Sequence, residues 1–144
     1  MSGTIAQLPD LGWMLRPLVE IPGVRHAVVV SEDGLRLGHA SAEGGAELGV
    51  DDAEKLAAAS AALAMTGRST SALLYGADVR VRQQLVETDQ GFILFTSAGV
   101  GAHLGVVTGP DADMGLVAQQ MQLLVVRIGD KLSSLPRQQV SPSP

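Results

Sequence analysis

Between Val79 and Thr108 the chain offers three strand-like stretches, Val79–Thr88, Phe92–Ser97 and Ala102–Thr108, joined only by "TDQG" and "AGVG". Connections this short cannot carry the crossover of a dozen or more residues that parallel strands need, so the three strands are predicted to be antiparallel. The same logic applies upstream, where "SEDG" links Val24–Ser31 to Leu35–His39. Asp33-Gly34 supplies the backbone freedom of a tight hairpin turn. Ala27–Val30 is apolar on both faces, which predicts a strand covered from both sides.

Three helices complete the pattern. Asp10–Ile21 carries Leu11, Leu15 and Leu18 at helical spacing. Pro17 lies inside it, where a proline costs about 3 kcal/mol, so this helix is expected to kink or to start late. Ile21-Pro22-Gly23 ends it. The middle helix is alanine-rich. Asp51 and Glu54 suggest a capping box at its start, and Gly67 suggests an end between Thr66 and Leu74. The last helix repeats apolar residues at Met114, Val117, Met121, Leu124, Val125, Ile128, Leu132 and Leu135, with Asp113 to cap it and Pro136 to close it. The resulting order, α-β-β-α-β-β-β-α, predicts an α+β fold in which a five-stranded antiparallel sheet is flanked by helices. One domain is expected over 10–135, between a flexible N-terminus at 1–9 and a polar, proline-bearing, disordered tail at 136–144.

Composition excludes several functions. Aromatics are only 3% of the chain, so aliphatic residues must fill the core. The net charge of -5 and the presence of just two lysines argue against a nucleic-acid partner, because phosphate contacts need clustered cations. With no cysteine, thiolate metal sites and cysteine nucleophiles are impossible. No apolar run approaches 18 residues and the start lacks a signal-peptide pattern, so no membrane insertion is expected and a cytoplasmic location is.

The chain also lacks an obvious catalytic kit. Neither lysine follows a glycine as in a phosphate loop, and Gly99, Gly101 and Gly105 sit between strands with the wrong spacing for a dinucleotide fingerprint. His26, His39 and His103 fall in three different predicted strands, with no metal-ligand spacing. Asp51, Asp52 and Glu54 suit a helix start, where the dipole favours acids. No converging acid, base and nucleophile appear, so no enzyme activity, cofactor or metal is expected.

Surfaces remain. Ala57, Ala61 and Ala64 form a small-residue strip with Ser60 beside it, and Leu56 and Leu63 flank it, a pattern that lets two helices approach closely. The strand beginning at Val79 carries Arg80, Val81 and Arg82 along a predicted edge, and a free edge is a template for pairing. Together these residues are the candidate homodimer interface.

The stretches "DLGWMLRPLVEIPGVRHAVVVSEDGLRLGHAS", "VRQQLVETDQGFILFTSAGVGAHLGVV" and "PDADMGLVAQQMQLLVVRIGDKL", with the alanine-rich helix between them, resemble the bacterial roadblock/dynein light-chain family. More narrowly, they resemble actinobacterial members encoded beside a sensor-kinase-like protein and a small Ras-like GTPase. The resemblance implies a profilin-like sandwich that pairs through its middle helix and third strand into one continuous sheet. It also implies a non-catalytic regulator or scaffold of a Ras-like GTPase, with the sensor-kinase-like protein as a further partner and a place beside a membrane-bound signalling complex. Arg68, Arg80 and Arg82 are then conceivable arginines acting in trans. A small-molecule sensor domain and a pure dimerisation module are the alternatives.

Overall fold

The structure, a computed structural model, describes residues 10–99 and 101–134. The segments expected to be a flexible N-terminus (1–9) and a disordered tail (136–144), with Leu135, fall outside these described residues. A 3-10 turn at Gly12–Leu15 leads into α1 (Arg16–Val19), followed by β1 (Val24–Ser31), β2 (Arg36–Ser41), α2 (Val50–Tyr75), β3 (Gln83–Thr88), β4 (Gly91–Ser97), β5 (Ala102–Thr108) and α3 (Met114–Ser134). The five strands form one antiparallel sheet in the order β2-β1-β5-β4-β3. The fold is the predicted α+β one.

Pro17 acts as its chemistry demands. It sits at the start of α1, where its missing N–H leaves no helical bond unmade, and the tighter 3-10 turn takes the residues before it. The "SEDG" hairpin also forms as expected. Gly34 adopts φ +86, and the Gly34 N–H donates to the Ser31 carbonyl at 3.0 Å. The ladder slips between Val29 and Val30, however, so β2 begins at Arg36 rather than Leu35 and runs on to Ser41. Leu35 is thereby left exposed.

Three further element boundaries differ from the sequence expectation. The capping box does not form. Gly49 is the N-cap, and its carbonyl accepts from the Ala53 N–H at 2.9 Å, while Asp51 and Asp52 occupy the first turn. There their carboxylates still favour the positive end of the helix. The middle helix also passes through Gly67 without a break and stops only at Gly76, where φ is +104. Finally, β3 begins at Gln83, not Val79. The chain leaving α2 first makes a turn, with the Val79 N–H donating to the Gly76 carbonyl, so Arg80, Val81 and Arg82 precede the strand.

The sheet carries unequal layers. On one face, Leu11, Leu15 and Leu18 from the N-terminal segment meet Val29, Leu104 and Val106 from the sheet and Val117, Met121, Leu124 and Ile128 from α3. Each such buried aliphatic side chain stabilises the fold by about 1.5–3 kcal/mol. On the other face, α2 lies on Val28 and Val30 through Ala57 and Leu56. β1 is thus covered on both sides, as its unbroken apolar run requires. Asp113 caps α3, its Oδ1 accepting from the Leu116 N–H at 3.2 Å.

Candidate functional site

The thin layer between α2 and the sheet shapes the surface beside it. Alanine side chains at Ala53 and Ala57 let the helix backbone come close to β1, and both are fully buried. Ser60 is buried with them, and its hydroxyl donates to the Leu56 carbonyl at 2.7 Å. Ala57 and Ser60 are therefore taken up by the protomer's own sheet. Their place on a strip offered outward needs correcting, because a close-lying helix uses small residues on its inner face as readily as on its outer one. Leu56, Ala61 and Ala64 are half-buried, and Leu63 lies toward solvent.

Farther along, α2 crosses toward β3. The Gln84 side chain donates from Nε2 to the Leu63 carbonyl at 3.1 Å. A Cβ on Gly67 would lie 2.6 Å from that same Nε2, so a larger residue there would push the Gln84 amide aside. Gly67 is a packing residue, not a helix end. Past this point, Leu73, Leu74 and Tyr75 are 84%, 69% and 77% exposed, and Met65 is exposed behind them. These residues were missed by sequence reasoning. The run "ALLY" at the end of an alanine-rich helix is the signal that would have found Leu73, Leu74 and Tyr75.

β3 borders this region. It pairs with β4 from Gln83–Thr96 to Thr88–Gly91, and no strand among the described residues pairs with its other side. The edge is open, as expected, but Arg80 and Arg82 stand ahead of it instead of along it. Arg82 is nonetheless tied down. Its carbonyl accepts from Thr96 Oγ1 at 3.1 Å and from the Ser97 N–H at 3.3 Å. Leu85, on the opposite face of β3 from Gln84, is half exposed.

Between α2, the 79–84 segment and the sheet lies a cavity of about 190 Å³. Phe95 lines its apolar side, with its ring lying over Gly105, where any Cβ would stand 2.8 Å from Cε1. Arg68, Arg80, Arg82, Glu32 and His103 supply its charged and titratable groups. With His103 neutral, three arginines and one glutamate leave a formal +2 at this cavity. Burial lowers the His103 pKa, Glu32 opposes that shift, and Arg68 adds to it. His26 and His39 lie elsewhere, on β1 and β2, with His26 Nδ1 2.8 Å from Ser41 Oγ. The described residues contain no cluster of three or more His, Asp or Glu side chains able to hold a metal ion, and no helix long and apolar enough to cross a membrane.

Comparison with known proteins agrees with this architecture. A roadblock/LC7 domain structure from Streptomyces avermitilis superposes with a TM-score of 0.77 at 32% identity, covering 87% of this chain and 99% of that one. A second one from the same organism is 40% identical, with a TM-score of 0.60 over 80% of this chain and 94% of that chain. The gliding protein MglB of Thermus thermophilus shares the fold at 21% identity, with a TM-score of 0.70 and coverage of 83% and 87%. No curated protein matches the sequence. The Roadblock/LC7 domain profile matches residues 11–108, and the chain belongs to that family.

Proposed function

We propose that the chain is a homodimeric regulator or scaffold of a small Ras-like GTPase and makes or breaks no bonds itself. The observation that carries this reading is the open edge of β3 beside the exposed apolar end of α2. Unpaired strand groups next to a solvent-facing cluster of large apolar side chains mark a contact surface. A second copy satisfies both, edge against edge and helix against helix. Leu63, Ala64, Leu73, Leu74 and Leu85 supply its apolar contacts. Arg80, Val81 and Arg82 lie at its end.

The regulatory half of the proposal is supported by family membership. Such a dimer changes GTP hydrolysis by holding the partner's switch segments in one of their arrangements. The sensor-kinase-like protein is the further partner in this scheme. The test is direct. The purified chain is mixed with the neighbouring Ras-like GTPase loaded with GDP or with a non-hydrolysable GTP analogue, and binding and phosphate release are measured. Nucleotide-dependent binding with altered hydrolysis is expected. No binding in either state removes the GTPase reading.

A further inference from the structure

We propose that the charges along the β3 border make it self-complementary, so that it accepts a second copy of itself only in the antiparallel sense. The inference rests on the dimer reading above and adds what fixes the direction of its seam. The stretch from Arg80 to Asp89, "RVRQQLVETD", is basic at one end and acidic at the other. Arg80 and Arg82 stand at its start, Glu87 and Asp89 at its finish, and only uncharged residues separate the two ends. All four charged side chains are exposed. Arg68 and Glu32 line the cavity beside Arg80 and Arg82, and Asp78 lies in the turn before them, so three cations against two acids keep that end basic. An extended chain rises about 3.3 Å per residue, which sets Arg82 and Glu87 of one protomer about 17 Å apart. That separation exceeds a Debye length at physiological salt, so the two ends do not neutralise each other within the chain.

Backbone geometry identifies the residues that meet the second copy. The Ser97 N–H donates to the Arg82 carbonyl, so the backbone groups of Arg82, Gln84 and Val86 point at β4. Those of Gln83, Leu85 and Glu87 therefore point away from the sheet. In an antiparallel pair related by a two-fold axis, all three find partners when the axis passes beside Leu85. Gln83 then lies opposite the partner's Glu87. Arg82 lies opposite the partner's Thr88, between the partner's Glu87 and the partner's Asp89. Strands stand about 4.8 Å apart, so the basic end of each copy comes within a Debye length of the acidic end of the other, twice in the pair. A parallel pair sets basic against basic and acidic against acidic, and like charges on adjacent strands are destabilising. The antiparallel axis stands perpendicular to the sheet, so both α2 helices fall on one face and can touch.

The test reverses the polarity of the border. One variant carries Arg80→Glu and Arg82→Glu, and a second adds Glu87→Arg and Asp89→Arg to these. Urea denaturation of each confirms the fold. In sedimentation equilibrium the first variant should self-associate about tenfold more weakly than the unaltered chain, and the second should recover the unaltered strength. Mass-tagged second variant mixed with the unaltered chain should give the two pure dimers and no mixed one, because antiparallel mixing sets like charges together. In the unaltered protein, raising sodium chloride from about 0.05 to about 0.5 M should weaken the dimer by about tenfold, a readout that needs no variant. Failure of the second variant to recover, free mixing of the two chains, or a dimer indifferent to salt would each overturn the proposal and leave the dimer standing. An unaltered chain that is monomeric would overturn the dimer reading and this inference together.

Discussion

His103 shows how much one residue's surroundings decide. It sits on β5 with Glu32 from the β1–β2 turn, Arg68 from α2, and Arg80 and Arg82 from the segment before β3 around the same cavity. Burial is the largest influence, and it disfavours the imidazolium, so the folded protein binds this proton less readily than the unfolded chain does. His26 behaves alike, lowered first by burial and then by Arg25 and His39. Stability from these two groups is therefore complete above the unfolded value of 6.5 and is lost as the pH falls below it. The urea midpoint should drop between pH 7.5 and pH 5.5, and His103→Asn should remove part of that drop. An unchanged pH profile in the variant would show that His103 contributes nothing to it. None of this was legible beforehand, because the neighbours of His103 come from three distant parts of the chain. Gly34 was legible, since a turn is set by residues adjacent in sequence.

At the scale of elements, periodicity was a sound guide where one face packs uniformly. The stripe of α3 was plain in the sequence, and Val117, Met121, Leu124 and Ile128 are indeed its buried residues. Ile128→Ala should thus cost about 2–5 kcal/mol in chemical denaturation. Val126→Ala, on the exposed side of the same helix, should stay within about 0.5 kcal/mol. Similar losses at both positions would mean that the outer face of α3 is also covered. α2 was harder to read because it changes its neighbour along its length. Its first half rests on β1 through alanines, and its second half reaches β3 through the Gly67–Gln84 contact. A glycine in a helix looks like a weak point until the side chain it admits is known. Similarly, the strand pattern around Arg80 could not reveal that α2 runs on to Tyr75, which leaves too little chain before Gln83 for a longer β3.

For the whole molecule, the dimer is the quantity to test. Leu85→Lys places a charge on the apolar part of the β3 border, and Leu73→Asp does so on α2. Both positions are exposed in the protomer, so neither change should lower its stability by more than about 0.5 kcal/mol. Together they should turn the dimer into monomer in light scattering. A dimer that survives both would place the contact elsewhere. The antiparallel sheet and its two helical layers were legible in the sequence as a whole. Which of its surfaces remains uncovered was not, because exposure depends on where α2 ends relative to the sheet.

The two borders of the sheet are not equivalent. At β2 the Leu11 N–H donates to the Leu37 carbonyl at 2.8 Å, and Gly38 has no side chain because Gly12 and Leu11 lie directly against it. At β3 nothing among the described residues intervenes. Growth by strand addition consequently has one growing end per molecule, and joining two such ends exhausts it. The proposed dimer would then stop at a finite pair instead of propagating into a filament, a safeguard that follows from the Leu11–Gly12 backbone laid across the far side.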